Sequence, residues 1–78
     1  MEDLVKFIAE NLVENKEAIK VSTTIEENGT NVINLVVAKG DMGRVIGKGG
    51  KIAQSIRSIV KTAGQKQNKR VIVKISEE

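Results

Sequence analysis

Residues 43–52 read Gly-Arg-Val-Ile-Gly-Lys-Gly-Gly-Lys-Ile. Three glycines and two lysines fall between two apolar helical segments. Inside a helix each glycine costs about 1 kcal/mol relative to alanine, so this run answers a need for bare backbone beside positive charge. One chemistry that fits is binding of a phosphate chain. Glycines let it approach the main chain, and N–H groups at the start of the next helix, from Gly50 on, point at it with the positive end of the helix dipole. Lys48 and Lys51 add charge, and no acid lies between Asp41 and Glu77. Val45, Ile46 and Ile52 would form an apolar wall for unstacked bases.

Two other readings use the same glycines. A P-loop needs four residues between its glycines, then Gly-Lys-Ser/Thr. Here only three separate Gly43 from Gly47, and Lys48 precedes Gly49. A dinucleotide fingerprint fails as well, because its third glycine position is Ile52. The remaining reading is a plain helix-to-helix corner, where one glycine suffices.

Other chemistries have little to work with. The 78 residues hold no Cys, His or Tyr. Disulfides, thiolate or imidazole metal sites and imidazole bases are therefore excluded. No carboxylate pair is placed by motif beside a nucleophile, so no enzyme, cofactor or metal is expected. The N-terminus is acidic and amphipathic, without the basic segment and apolar run of a signal peptide, and no window reaches the roughly 18 apolar residues of a membrane span. A cytoplasmic protein with no membrane role is the expectation. Charge is unevenly spread. Residues 1–38 carry seven acids against three lysines, and residues 39–78 carry ten bases against three acids. That asymmetry points to a basic face for a polyanion, or to an ordinary solvated surface.

The elements around the loop follow from periodicity. Leu4, Val5, Ile8, Ala9, Leu12 and Val13 draw one apolar stripe, predicting a helix over 3–15. Residues 18–27 alternate and predict a half-buried strand. Asn28-Gly29 predicts a tight hairpin with both turn residues at positive φ. The returning strand, 31–39, is apolar on both faces and belongs in the sheet centre. Gly40 ends it, Asp41 is placed to cap a short helix over 42–46, and a longer helix follows from about 50 to 63. Ile52, Ile56, Ile59, Val60 and Ala63 form its expected buried face, with Gly64 as its stop. Val71, Val73 and Ile75 mark a last strand. The crossover between the second and third strands should be right-handed and make them parallel. The whole is one α+β domain over residues 1–78, a three-stranded mixed sheet with helices on one face.

At this point a family likeness enters. Val45-Ile46-Gly47-Lys48-Gly49-Gly50-Lys51-Ile52 resembles the core of KH domains, whose GXXG loop clamps about four nucleotides of single-stranded nucleic acid. The order αββααβ resembles the prokaryotic, type II form, and the likeness covers essentially the whole chain. The run GDMGRVIGKGGK is similar to small bacterial single-domain KH proteins of the KhpA type. The resemblance implies single-stranded RNA as ligand, and a homodimer or a heterodimer with a larger KhpB (Jag-type) KH protein. By position, Gly47 and Gly50 become the loop ends and Lys48 and Gly49 the pair facing the backbone. Val45, Ile46 and Ile52 become groove floor or the core beneath it. Lys51, Arg44, Gln54, Ser55, Arg57 and Lys61 are then expected along the groove or the RNA backbone, with Lys69 and Arg70 at the opposite wall. For Arg57 and Lys61 a solvated helix face explains the charge equally well. The alternative function is a dimeric scaffold or adaptor whose main role is to bind a partner protein, with RNA secondary.

Overall fold

The computed structural model describes residues 1–78. Helix α1 (Glu2–Glu10) leads through a single 3₁₀ turn, Lys16–Ala18, into β1 (Lys20–Ile25). Strand β2 (Asn31–Val37) follows, then α2 (Met42–Ile46), α3 (Lys51–Lys66) and β3 (Val71–Glu77). The sheet order is β1-β2-β3, with β1 antiparallel and β3 parallel to β2. The mixed sheet and the central place of β2 are as the apolar pattern predicts. On the helix side, Val21, Leu35 and Ile75 form one cross-strand row and Thr23, Ile33 and Val73 the next. Val5, Ala9 and Val13 from the first segment and Val45, Ile56 and Val60 from α2 and α3 close one shared core over them.

Helix α1 is shorter than its apolar stripe. The Asn11 side-chain amide donates to the Phe7 carbonyl at 2.8 Å, a local bond of the kind that competes with helix propagation. The Leu12 and Val13 N–H groups still reach the Ala9 carbonyl, at 3.0 and 3.1 Å, and those of Glu14 and Asn15 then go to the carboxylate of Asp41, at 3.1 and 3.0 Å. Asp41 therefore caps nothing in α2, contrary to its sequence position. It is almost fully buried and holds the end of the first segment across the chain.

The hairpin also differs from expectation. Gly29 N–H donates to the Glu26 carbonyl at 2.9 Å, and only Gly29 (φ 87°) takes positive φ. The loop is thus one residue wider than a two-residue turn, and Asn28 spends its side chain on the Thr30 N–H at 3.0 Å. This is the three-residue alternative, in which one glycine alone needs the left-handed region.

Helix α3 faces the sheet with Ala53, Ile56, Val60 and Gly64. Ile59, expected in that face, stands 48% exposed on the opposite shoulder. Gly64 does not stop the helix. A Cβ there would lie 2.8 Å from Val71 Cγ2 and 3.0 Å from the Lys69 carbonyl, so glycine admits close packing of α3 on the start of β3. The stop is Asn68, at φ 56°. Lys69 N–H reaches back to the Gly64 carbonyl at 2.8 Å and Asn68 N–H to that of Gln65 at 3.1 Å, a paired closure in which asparagine serves as glycine often does.

Candidate nucleic-acid interface

The glycine loop joins two helices through a single 3₁₀ turn, Lys48–Gly50. Gly47, Gly49 and Gly50 all take positive φ, at 77°, 65° and 76°. Their surroundings differ. A Cβ on Gly47 would meet the Ile52 side chain at 2.5 Å, whereas one on Gly49 or Gly50 would meet nothing within 4 Å. Gly47 is therefore a packing glycine at the root of the loop, and Gly49 and Gly50 are bare backbone open to a ligand.

The hydrogen bonds refine which amides are offered. Gly50 N–H turns inward to the Gly47 carbonyl at 3.1 Å, and Lys51 N–H bonds the Lys48 carbonyl. The expectation that free amides start at Gly50 is therefore corrected by two residues. The N–H groups of Lys48 and Gly49 have no partner in the chain. No side chain caps the turn or the start of α3. The Lys48 and Lys51 side chains are exposed beside it.

The other expected site residues divide into three groups. Ile46 and Ile52 are half-buried at the loop's base, so part of each presents an apolar surface. Val45 is fully buried in the core and supports the loop from below. Arg44 is held elsewhere. Its guanidinium donates to the Gly40 carbonyl at 3.1 Å and to Asp41 at 3.2 Å, and pairs with Glu14. That network ties α2 to the end of the first segment and leaves the loop's charge to the lysines.

Along α3, helical spacing sets Gln54, Arg57 and Lys61 on one shoulder of the sheet-facing stripe and Ile52, Ile59 and Ala63 on the other. Gln54, Ser55, Arg57 and Lys61 are all exposed. The Arg57 Nε–H donates to the Val73 carbonyl at 3.5 Å, so the Arg57 shoulder faces the open edge of β3. Lys69 and Arg70 are exposed at the head of that strand. The loop, one shoulder of α3 and the β3 edge thus share one side of the molecule. Sequence reading did not find Val73, because a buried valine gives no sign that its backbone carbonyl lies at an edge.

Asp41 is the titratable group most affected by its surroundings. The Asn15 and Glu14 amides, in that order, lower its pKa against the opposing effect of burial, and the Arg44 guanidinium lowers it further. A carboxyl whose pKa is depressed on folding stabilises the fold fully above its unfolded value, about 3.9, and loses that contribution as pH falls through the folded value. The melting temperature is expected to drop steeply as pH falls below about 4. Asp41→Asn should melt lower at neutral pH and show a shallower acid slope. An unchanged slope in circular-dichroism melts from pH 6 to 2 would rule out this carboxylate as a source of acid sensitivity.

A two-layer αββααβ fold with a Gly-x-x-Gly turn between its second and third helices defines a type II KH module. Comparison with known proteins gives the family. The profile described as "KhpA/KhpB, KH domain" matches residues 2–75, and the chain belongs to that family. It is 52% identical over 75 residues to a protein of Caldanaerobacter subterraneus subsp. tengcongensis named RNA-binding protein KhpA, covering 96% of this chain and 99% of that one. It is 43% identical over 77 residues to the Aquifex aeolicus protein of the same name, covering 99% and 96%. Among solved structures it resembles Era, crystallised with MgGDPNP and a segment of 16S ribosomal RNA. The TM-score is 0.56 at 18% identity, over 97% of this chain and 29% of that chain. That likeness concerns the fold.

Proposed function

We propose that this chain binds single-stranded RNA, gripping the sugar-phosphate backbone at Gly47-Lys48-Gly49-Gly50 with the bases laid between α3 and the β3 edge. The observation that carries the reading is the open turn. Two unpartnered amides, on Lys48 and Gly49, sit beside two glycines with no neighbour at their Cβ positions and two exposed lysines. This arrangement accepts phosphate oxygens without displacing any protein group. The names of the relatives and the family's KH fold support the same ligand. No helix is long and apolar enough to cross a membrane.

A four-nucleotide clamp grips weakly, and two clamps on one strand raise avidity. The chain accordingly works as a homodimer, or with a larger KH protein of the KhpB (Jag) type. The outer shoulder of α3 supports this part of the reading. Ile59 stands nearly half exposed there among Ser58, Thr62, Ala63 and Lys66, which line one shallow depression. That exposed apolar shoulder also favours the second reading, a scaffold whose main role is partner binding.

The two readings separate in a salt and strand titration. Lysine contacts to phosphate release counterions, so affinity should fall steeply with salt, about fivefold for each tenfold rise in ionic strength per phosphate contacted on a single strand. A groove that takes unstacked bases should also favour single strands over duplex of the same sequence. Fluorescence anisotropy measures both. Equal affinity for duplex and single strand at moderate salt would refute the groove.

A further inference from the structure

We infer that Arg57 sets base preference in this groove, selecting guanine over adenine next to the β3 edge; the inference rests on the RNA-binding reading above. The β3 edge has a defined polarity. Asn31 N–H donates to the Arg70 carbonyl at 2.8 Å and Glu78 N–H to the Val37 carbonyl at 3.0 Å. Even-numbered positions of this segment therefore direct their backbone groups toward β2. Strand alternation then directs those of Val71, Val73 and Ile75 to the open side.

A bare strand edge of this kind offers an N–H donor and a C=O acceptor side by side. That pair matches the Watson–Crick edge of adenine, which accepts at N1 and donates from N6. Here the acceptor already has a long-range partner, which occupies one of its two lone pairs and stands over it. Arg57 Nε–H donates to the Val73 carbonyl at 3.5 Å. The guanidinium has five N–H donors in a fixed plane and no acceptor. With Nε turned to Val73, its terminal nitrogens still carry four. What the groove meets first at this point is therefore a planar set of donors in front of the carbonyl.

An all-donor surface fits a base edge with two adjacent acceptors. Guanine has one, O6 with N7, the pair that arginine engages bidentately. Single-stranded RNA leaves this edge free. Adenine brings its N6 amino group, a second donor, against the guanidinium, and that amino group then lacks its partner. Arg57 lies seven residues beyond Gly50, about 10 Å along α3, within the span of the nucleotides held by the clamp. Gln54 and Lys61 share its shoulder. Neither offers a planar donor fork.

The test uses the full chain and oligouridine 8-mers carrying one central guanine or one central adenine, read by fluorescence anisotropy. The expected result for the natural sequence is tighter binding of the guanine oligomer, by about tenfold. Arg57→Met keeps the aliphatic stem and frees the Val73 carbonyl. It should erase the guanine preference and improve the adenine oligomer relative to guanine. Arg57→Lys retains the charge without the fork, and should keep the salt dependence while losing the preference. Equal affinity of the natural chain for both oligomers overturns the inference. So does an Arg57→Met variant that weakens both by the same factor, which is the mark of a purely electrostatic contact. If the natural chain binds neither oligomer, the RNA-binding reading itself fails, and this inference falls with it.

Discussion

Lys48→Asp combined with Gly49→Asp is expected to abolish retention of single-stranded RNA while leaving the fold and the oligomeric state as they are. The expected loss is large because the change acts twice at one place. It removes a cation and sets two carboxylates beside the two amides offered to phosphate. Like charges brought together at an interface cost several kcal/mol, and about 3 kcal/mol already corresponds to more than a hundredfold in affinity. The fold should tolerate the change. Lys48 is exposed, and a Cβ at Gly49 meets nothing within 4 Å. Gly49 sits at φ 65° and ψ 18°, in the left-handed region that aspartate enters more readily than most residues, at a cost of about 1 kcal/mol. Gel-shift or anisotropy with a single-stranded RNA reads the binding. Circular dichroism and light scattering read the fold and mass. If RNA retention is unchanged in a folded variant, the clamp is wrong and the scaffold reading gains.

That prediction depends on residues whose importance was legible before any coordinates. Glycine and lysine at this spacing have few uses between helices, so the loop was visible in the residue types alone. So were the sheet order and the parallel return of β3, because β2 is apolar on both faces and the crossover length leaves few alternatives. Burial alternation likewise located most of the core. Ile25, 68% exposed at the end of edge strand β1, is one exception and Ile59 is another. Helical spacing alone put it within the buried stripe. The close approach permitted by Ala53 and Gly64 rotates α3 so that those small residues, not Ile59, meet the sheet.

What escaped the sequence were bonds between distant segments. Asp41 looked like a cap for α2 because short polar residues before helices usually are. Its carboxylate instead serves Glu14 and Asn15, which precede it by 27 and 26 residues. No local pattern records such a partner. The same bond network explains why Arg44, a reasonable groove residue by position, turns toward Asp41 and Glu14. Arg57 is the opposite case. Its charge was ambiguous in sequence, and the bond to the Val73 carbonyl gives it a direction. The hairpin and the end of α3 show a third kind of limit. Asn28-Gly29 was correctly read as a turn and Gly64 wrongly as the helix stop, and local chemistry allows both a tight and a wider turn. It also allows Asn68 to close the helix where glycine was the obvious candidate.

Gly47→Ala should be the most destabilising single methyl addition in the loop. Gly47 is held at φ 77° and ψ 171°, a combination open essentially to glycine alone and costing other residues about 1–3 kcal/mol. The added Cβ would also fall 2.5 Å from Ile52 Cγ1 and 2.8 Å from Ile52 Cβ. The Cβ atom cannot move away by rotating its side chain, so α3 must shift at its first turn. Overpacking of that kind adds about 1–3 kcal/mol. The two effects together amount to about 3 kcal/mol, a large share of the roughly 5–15 kcal/mol that stabilises a domain of this kind. For a chain of this length that is a fall in melting temperature of about 12 °C or more. Gly50→Ala is the internal control. It has a similar φ, 76°, with no neighbour within 4 Å, and should lose only the conformational part, about 1 kcal/mol. A double-mutant cycle isolates the clash. Ile52→Ala removes Cγ1 and Cδ1, so the loss caused by Gly47→Ala should be smaller in that background. If Gly47→Ala melts within a few degrees of Gly50→Ala, Ile52 does not lock the root of the loop, and the loop's geometry must be set by the ligand instead of the fold.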